Sequence, residues 1–209
     1  MTSNFQAYDP SIDAPVDHHP VYDYDSGPPV DRGKFAIWLF LATEVMFFTG
    51  LIGSYLVLRM GTAAWPDPGE RLAVDITAAN TFILICSSWT MVMALHAIQH
   101  GSQSGLVKWL GATILIGATF VGVQAYEYGV LLDNHMLPNV DIFWSTFYAM
   151  TGFHGLHVIV GVLWLMCLWV GAVRGKFTQQ DYLRVELGGL YWHFVDLVWV
   201  LLFTIVYLM

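Results

Sequence analysis

Charge is scarce in this chain: 11% of its 209 residues are Asp, Glu, Lys or Arg, and Lys and Arg together number eight. A soluble domain carries about 25% charged residues, so a water-soluble globular enzyme is excluded. So few cations cannot build the surface that releases counterions from a phosphate backbone, which removes nucleic acid from the partners. Cysteine is nearly absent. Cys86 and Cys167 both fall inside apolar stretches and form neither a disulfide framework nor a spaced metal motif, so they read as small packing residues. No Lys or Arg occurs before Arg32, where six of the sixteen acids and five of the eight prolines are gathered. That segment has no basic start and no apolar core, so it is not a secretory signal. It cannot bury a core of its own, and residues 1–33 are expected to form an extended or disordered acidic tail. Within it, His18-His19 is either a metal-binding pair or simply solvated.

Hydrophobic residues make up 56% of the chain. They gather into five stretches, at about 35–58, 76–99, 106–132, 142–173 and 187–208, each longer than the ~20 residues that cross a bilayer core. Pro66, Pro68 and Pro138 lie between stretches and break none of them. The expected fold is all-α: an integral membrane bundle of five transmembrane helices over residues 34–209. Basic residues set its orientation. Arg32, Lys34, Lys108, Arg174, Lys176 and Arg184 share one side, against Arg59 and Arg71 on the other, which places the N-terminus inside and the C-terminus outside. Trp65, Trp144 and Tyr207 read as outer interfacial anchors, Trp109 and Trp192 as inner ones. Small residues predict close helix contacts at Gly50/Ser54, at Ala118/Gly122 and along Gly152, Gly155 and Gly161.

Polar groups at membrane depth are costly and face a bundle interior or a partner. Glu44 stands alone in its stretch, roughly 13 Å from the inner end at 1.5 Å per residue. It is either bonded to a neighbouring helix or part of a proton or lipid-headgroup site. His193 and Asp196 are three apart on one helical face, where a carboxylate can fix an imidazole tautomer or clamp two helices. His154 and His157 have the same spacing and are either a metal- or haem-ligating pair or, as the preferred expectation, neutral histidines that bond across helices. Gln124 and Glu127 lie near the outer end of the third stretch. Glu186 opens the last one, where the helix dipole favours a carboxylate.

Two long motifs, Thr151-Gly152-Phe153-His154-Gly155-Leu156-His157-Val158 and Tyr191-Trp192-His193-Phe194-Val195-Asp196-Leu197-Val198-Trp199, resemble the signatures of cytochrome c oxidase subunit III. Shorter matches keep the same order: Glu44-Val45-Met46-Phe47-Phe48-Thr49-Gly50, Asn80-Thr81, Gln124-Ala125-Tyr126-Glu127-Tyr128, Ser145-Thr146-Phe147 and Glu186-Leu187-Gly188. The resemblance implies the short, five-span form of an accessory subunit of a proton-pumping haem-copper oxidase in a bacterial cytoplasmic membrane. It implies that this chain holds no haem, copper or catalytic centre of its own, and that those groups belong to subunits I and II. It also implies packing on subunit I, phospholipid in a cleft between helices, and support for proton uptake, oxygen access and durability, with membership of a larger respiratory supercomplex open. Glu44 then matches a carboxylate that reacts with hydrophobic carbodiimides, and Glu44, His154, His157, Glu186, His193 and Asp196, with Gln124, Glu127 and Trp192 behind them, are the candidate site residues. One departure is Asp181-Tyr182, where many relatives carry a histidine pair. Subunit III of a quinol oxidase, or of a nitric-oxide-reductase-associated relative, shares the same reading. From other classes, a haem-binding cytochrome would need His96 and His193 to face each other, and a proton channel would use Glu44, His157, His193 and Asp196.

Overall fold

The computed structural model describes residues 31–63 and 65–209, the Glu70 side chain excepted. The segment read as an acidic tail, His18-His19 included, lies outside the described residues up to position 30, and Arg32 and Gly33 already belong to the first helix. The elements are α1 (Arg32–Gly61), a single turn α2 (Pro68–Arg71), α3 (Val74–Gln99), α4 (Gln103–Asp133), α5 (Ile142–Val173) and α6 (Leu183–Phe203), which runs on into a π-helical turn at Thr204–Leu208. Five of these helices are long and apolar enough to cross a membrane. All five expected spans are present, their ends within four residues of the sequence reading. Helices are the economical answer for such a chain, because each satisfies its own backbone polar groups where there is no water to do so.

Short polar residues punctuate the helices. After α3, Gly101 takes φ 76°, the Ser102 N–H donates to Ala97 O and the Gly101 N–H to Ile98 O, which is a Schellman ending. Ser102 then caps α4 by accepting from the Gly105 N–H at 3.2 Å. One Gly-Ser pair therefore stops one span and starts the next, leaving them no path but antiparallel. Gly175 ends α5 in the same way. At α4 the left-handed position is taken by His135, at φ 60°. Asp141 caps α5 through the Trp144 N–H at 2.9 Å. The α2 turn, not expected from the sequence, begins on Asp67 with proline at its first position.

Helices α3, α4, α5 and α6 close a ring, and α1 packs outside it against α5 and α6. Helix α6 is the hub. Eleven of its residues are buried, against four on α1: Ile37, Leu41, Phe48 and Tyr55. Those four belong to a six-residue seam that Glu44 and Leu51 complete. Lys34 bonds Glu186 at 2.8 Å at one end of the bundle. At the other end Arg59 donates to the Met209 carbonyl and Arg71 bonds Asp141 at 3.0 Å.

Several packing expectations are corrected. Trp144, Trp192 and Tyr207, read as interfacial anchors, are at most 3% exposed. Trp192 sits nine residues into α6, about 13 Å along its axis, wedged between α4 and α5. Gly117 and Gly161 make that room: a Cβ on Gly117 would fall 2.5 Å from the indole and one on Gly161 3.0 Å from it. The α5 glycines do permit close approach, but Gly50, Ser54, Ala118 and Gly122 face outward, and a Cβ on Gly50 or Gly122 would meet nothing within 4 Å. Spacing defines a face; it does not say which neighbour meets it. Cys167 is exposed and Cys86 half-buried, so neither is a core packing residue. Gly117→Val is expected to lower stability by about 1–3 kcal/mol through overpacking, while Gly122→Ala changes it by less than about 0.5 kcal/mol. Thermal unfolding in detergent checks the contrast.

Candidate functional site

Glu44 meets α5 at His157, with Nε2 and Oε2 3.0 Å apart and each side chain 17% exposed. The other ring nitrogen of His157, Nδ1, lies 2.7 Å from the Phe153 carbonyl. A carbonyl only accepts, so Nδ1 carries a proton and Nε2 is the atom turned to Glu44. One further proton then bridges the pair. It can rest on the acid beside a neutral imidazole, or on the imidazole beside a carboxylate, without any heavy atom moving. Either way the pair presents no net charge to the hydrocarbon, which removes most of the cost of burying it. Phe48 packs edge-on to the His157 ring at 5.1 Å and Phe47 lies at 6.2 Å. Tyr191 of α6 donates to the His157 carbonyl at 3.0 Å, tying the third helix to the same point.

A second polar unit joins α3 to α6. The Ser88 hydroxyl donates to Asp196 Oδ2 at 2.5 Å and lies 3.1 Å from His193 Nδ1. The expected His193–Asp196 arrangement is thus realised through a serine between them. Two indoles extend the same seam: Trp192 Nε1 donates to Ser87 Oγ and Trp199 Nε1 to Thr81 Oγ1, both at 2.9 Å.

Nearer the outer end, Glu127 accepts from Thr77 and Tyr207, each at 3.3 Å. It ties α3, α4 and the π turn together. Gln124 donates to the Thr151 carbonyl at 3.1 Å and Tyr128 pairs with the Thr151 hydroxyl at 2.7 Å. His154 and His157 part company. Sixty degrees separate residues three apart on a helix. That turns His157 to α1 and His154 into the ring, where it is fully buried, stacked on Trp199 at 4.8 Å, with neither nitrogen hydrogen-bonded among the described residues. The bonding across helices expected of both histidines is made by His157 alone. Glu186 lies in the first turn of α6 and holds Lys34.

His96 stacks on His100 at 4.1 Å, while His193 bonds Ser88. That is not the facing pair a haem would need. Among the described residues no three His, Cys, Asp or Glu side chains converge as metal ligands. The sequence reading missed the hydroxyl partners Thr77, Ser87 and Ser88. Their signal was present: with Asn80, Thr81 and Thr90 they form two polar groups on α3, one at Thr77, Asn80 and Thr81 and one at Ser87, Ser88 and Thr90, in an otherwise apolar span.

Fold and site define a polytopic membrane bundle whose polar side chains mostly answer one another across helices. The sequence model for cytochrome c oxidase subunit III matches residues 21–209, and the chain belongs to that family. It is 40% identical over 181 residues to cytochrome c oxidase subunit 3 of Synechocystis sp., covering 86% of this chain and 76% of that protein. It is 36% identical over 172 residues to quinol oxidase subunit 3 of Bacillus subtilis, covering 82% and 84%. Against cytochrome bo(3) ubiquinol oxidase subunit 3 of Pseudomonas aeruginosa it is 34% identical over 194 residues, covering 93% and 91%. The chain is accordingly an accessory subunit of a haem-copper terminal oxidase.

His157→Leu leaves the Glu44 carboxyl without its partner and is expected to cost about 1–3 kcal/mol, read by thermal unfolding. Glu44→Gln keeps a donor facing Nε2 and should cost less. A hydrophobic carbodiimide should label the wild-type chain at Glu44 and spare Glu44→Gln. Labelling that persists would move the reactive acid elsewhere, with Asp196 the next candidate.

Proposed function

We propose that this subunit lies in a bacterial cytoplasmic membrane, N-terminus inside and C-terminus outside, and packs on subunit I of an oxidase whose haem and copper are held by subunits I and II. It holds phospholipid in a helix cleft and contributes no catalytic centre. Its role is to keep the oxygen-reducing core supplied with protons and oxygen and to slow its inactivation. The observation that carries the reading is the Glu44–His157 pair. It is a proton-bridged, net-neutral unit, partly open to the membrane at the junction of α1, α5 and α6. Such a unit can hand a proton between an acid and an imidazole at constant charge, which suits a subunit working beside a proton-consuming reaction. The orientation rests on the basic residues. The structure groups Arg59 with the C-terminus at one end of the bundle, and Lys34 with the start of α6 at the other. That is the grouping the six-to-two bias requires.

The relatives named for cytochrome c oxidase and for quinol oxidase match at 34–40% identity alike. A quinol-oxidising complex is therefore an equal second reading, the donor being read by other subunits. Purification through a tag on this chain should recover an oxidase with haem absorbance, and its subunit list names the donor class. The same complex stripped of this chain should keep its spectrum but lose activity sooner during turnover. Unchanged turnover and lifetime would refute the supporting role.

A further inference from the structure

On its outer side the α3/α6 seam opens into a groove of about 570 Å³ lined by Ile85, Ser88, His193, Asp196, Leu197, Val200 and Leu201. Its rim is apolar and uncovered, with Ile85 and Leu197 exposed. Its floor is the Ser88–His193–Asp196 unit. The serine hydroxyl spends its proton on Asp196 Oδ2, so its oxygen accepts the proton on His193 Nδ1. That leaves two acceptors at the floor. One is His193 Nε2, which has no partner among the described residues. The other is Asp196 Oδ1, which accepts no hydrogen bond from the described residues although Asp196 is 8% exposed.

We infer that this groove is the docking site for a transmembrane helix of another oxidase subunit, one that presents a hydrogen-bond donor (hydroxyl, amide, indole or cationic side chain) to Asp196 and His193. The inference rests on membership of an oxidase complex and adds where the complex is joined. Depth and chemistry select the occupant. Asp196 lies about 20 Å from the start of the span Leu183–Leu208 and about 18 Å from its end, beyond the reach of a lipid headgroup, and an acyl chain brings no donor. A second copy of this chain in symmetric contact would set acceptors against acceptors. The Glu44–His157 pair, also partly open to the membrane, does not compete as a dock, because its two members satisfy each other.

The test uses the whole complex in native membranes, with Leu197 on the groove rim replaced by photoreactive benzoylphenylalanine and Leu163 on α5 replaced as a comparison. Irradiation should join position 197 to a membrane segment of another oxidase subunit that carries such a donor. Adducts at 197 to lipid alone, or to a second copy of this chain, in a complex that still co-purifies would overturn the inference and leave the functional reading standing. Failure to co-purify with any oxidase would overturn both. Independently, Asp196→Leu and the groove-filling Val200→Trp should each lower retention of this subunit through a detergent wash ~3- to 30-fold, the range for one hydrogen bond between membrane helices. Asp196→Asn, which keeps the shape and an acceptor, should lower it less. Undiminished retention of both Asp196→Leu and Val200→Trp would also overturn the inference.

Discussion

A donor or acceptor surrounded by hydrocarbon has no water to turn to, and the contact between α3 and α6 is arranged around that fact. Along this seam α3 carries two groups of hydroxyl and amide side chains, Thr77, Asn80 and Thr81 on one side of Leu84 and Ser87, Ser88 and Thr90 on the other, and α6 sets indole, imidazole and carboxylate groups against them in antiparallel register. Ser87 takes Trp192, Ser88 takes His193 and Asp196, and Thr81 takes Trp199. Lipid offers no hydrophobic drive for one helix to prefer another, so such bonds together with close packing decide which helices pair and in what register. The glycines serve the same seam from behind. Gly117 and Gly161 clear the space that lets Trp192 reach Ser87. Without them the indole could not lie flat between α4 and α5, and α6 could not serve as the hub.

Helix α1 is attached by other means. It buries one narrow stripe and otherwise leans on three polar clamps spread over its length: Lys34 to Glu186, Glu44 to His157, and Arg59 to the chain terminus. The end clamps are half-exposed and surface pairs of that kind are worth only about 0–1 kcal/mol. The middle one differs because it sits among aromatic rings where water does not compete. Position along α1 is therefore held at Glu44, the point where the helix also carries its proposed chemistry.

The number of spans and their ends to within a turn could be read from composition, because the bilayer fixes length directly. The two long motifs went further and carried the family. What could not be read was azimuth, the direction each face points. Gly50 and Gly122 lie on helical faces like the glycines of α5 yet meet nothing within 4 Å among the described residues, and Trp192 stands near the start of a span yet is buried between two other helices. His154 and His157 differ by 60° of rotation, which is enough to give one an acidic partner and the other only aromatic walls. The partners of Ser88 were hidden for a related reason. A hydroxyl in an apolar span can bond its own backbone, and only the neighbouring helix reveals that this one bridges an imidazole and an acid.

Two polar units reach the lipid boundary, and their difference bears on how an accessory subunit works. Glu44 and His157 form a closed account: donor meets acceptor, the proton has two resting places, and no neighbour is required. The unit on the α3/α6 seam is left with acceptors in excess. A monomer in lipid would bear that deficit indefinitely, whereas a subunit of a larger enzyme bears it only until assembly. The same principle that drives helices to pair within this chain then operates between chains. A polar atom unanswered inside the bundle becomes a reason to bind outside it, whereas the self-sufficient pair calls for no partner.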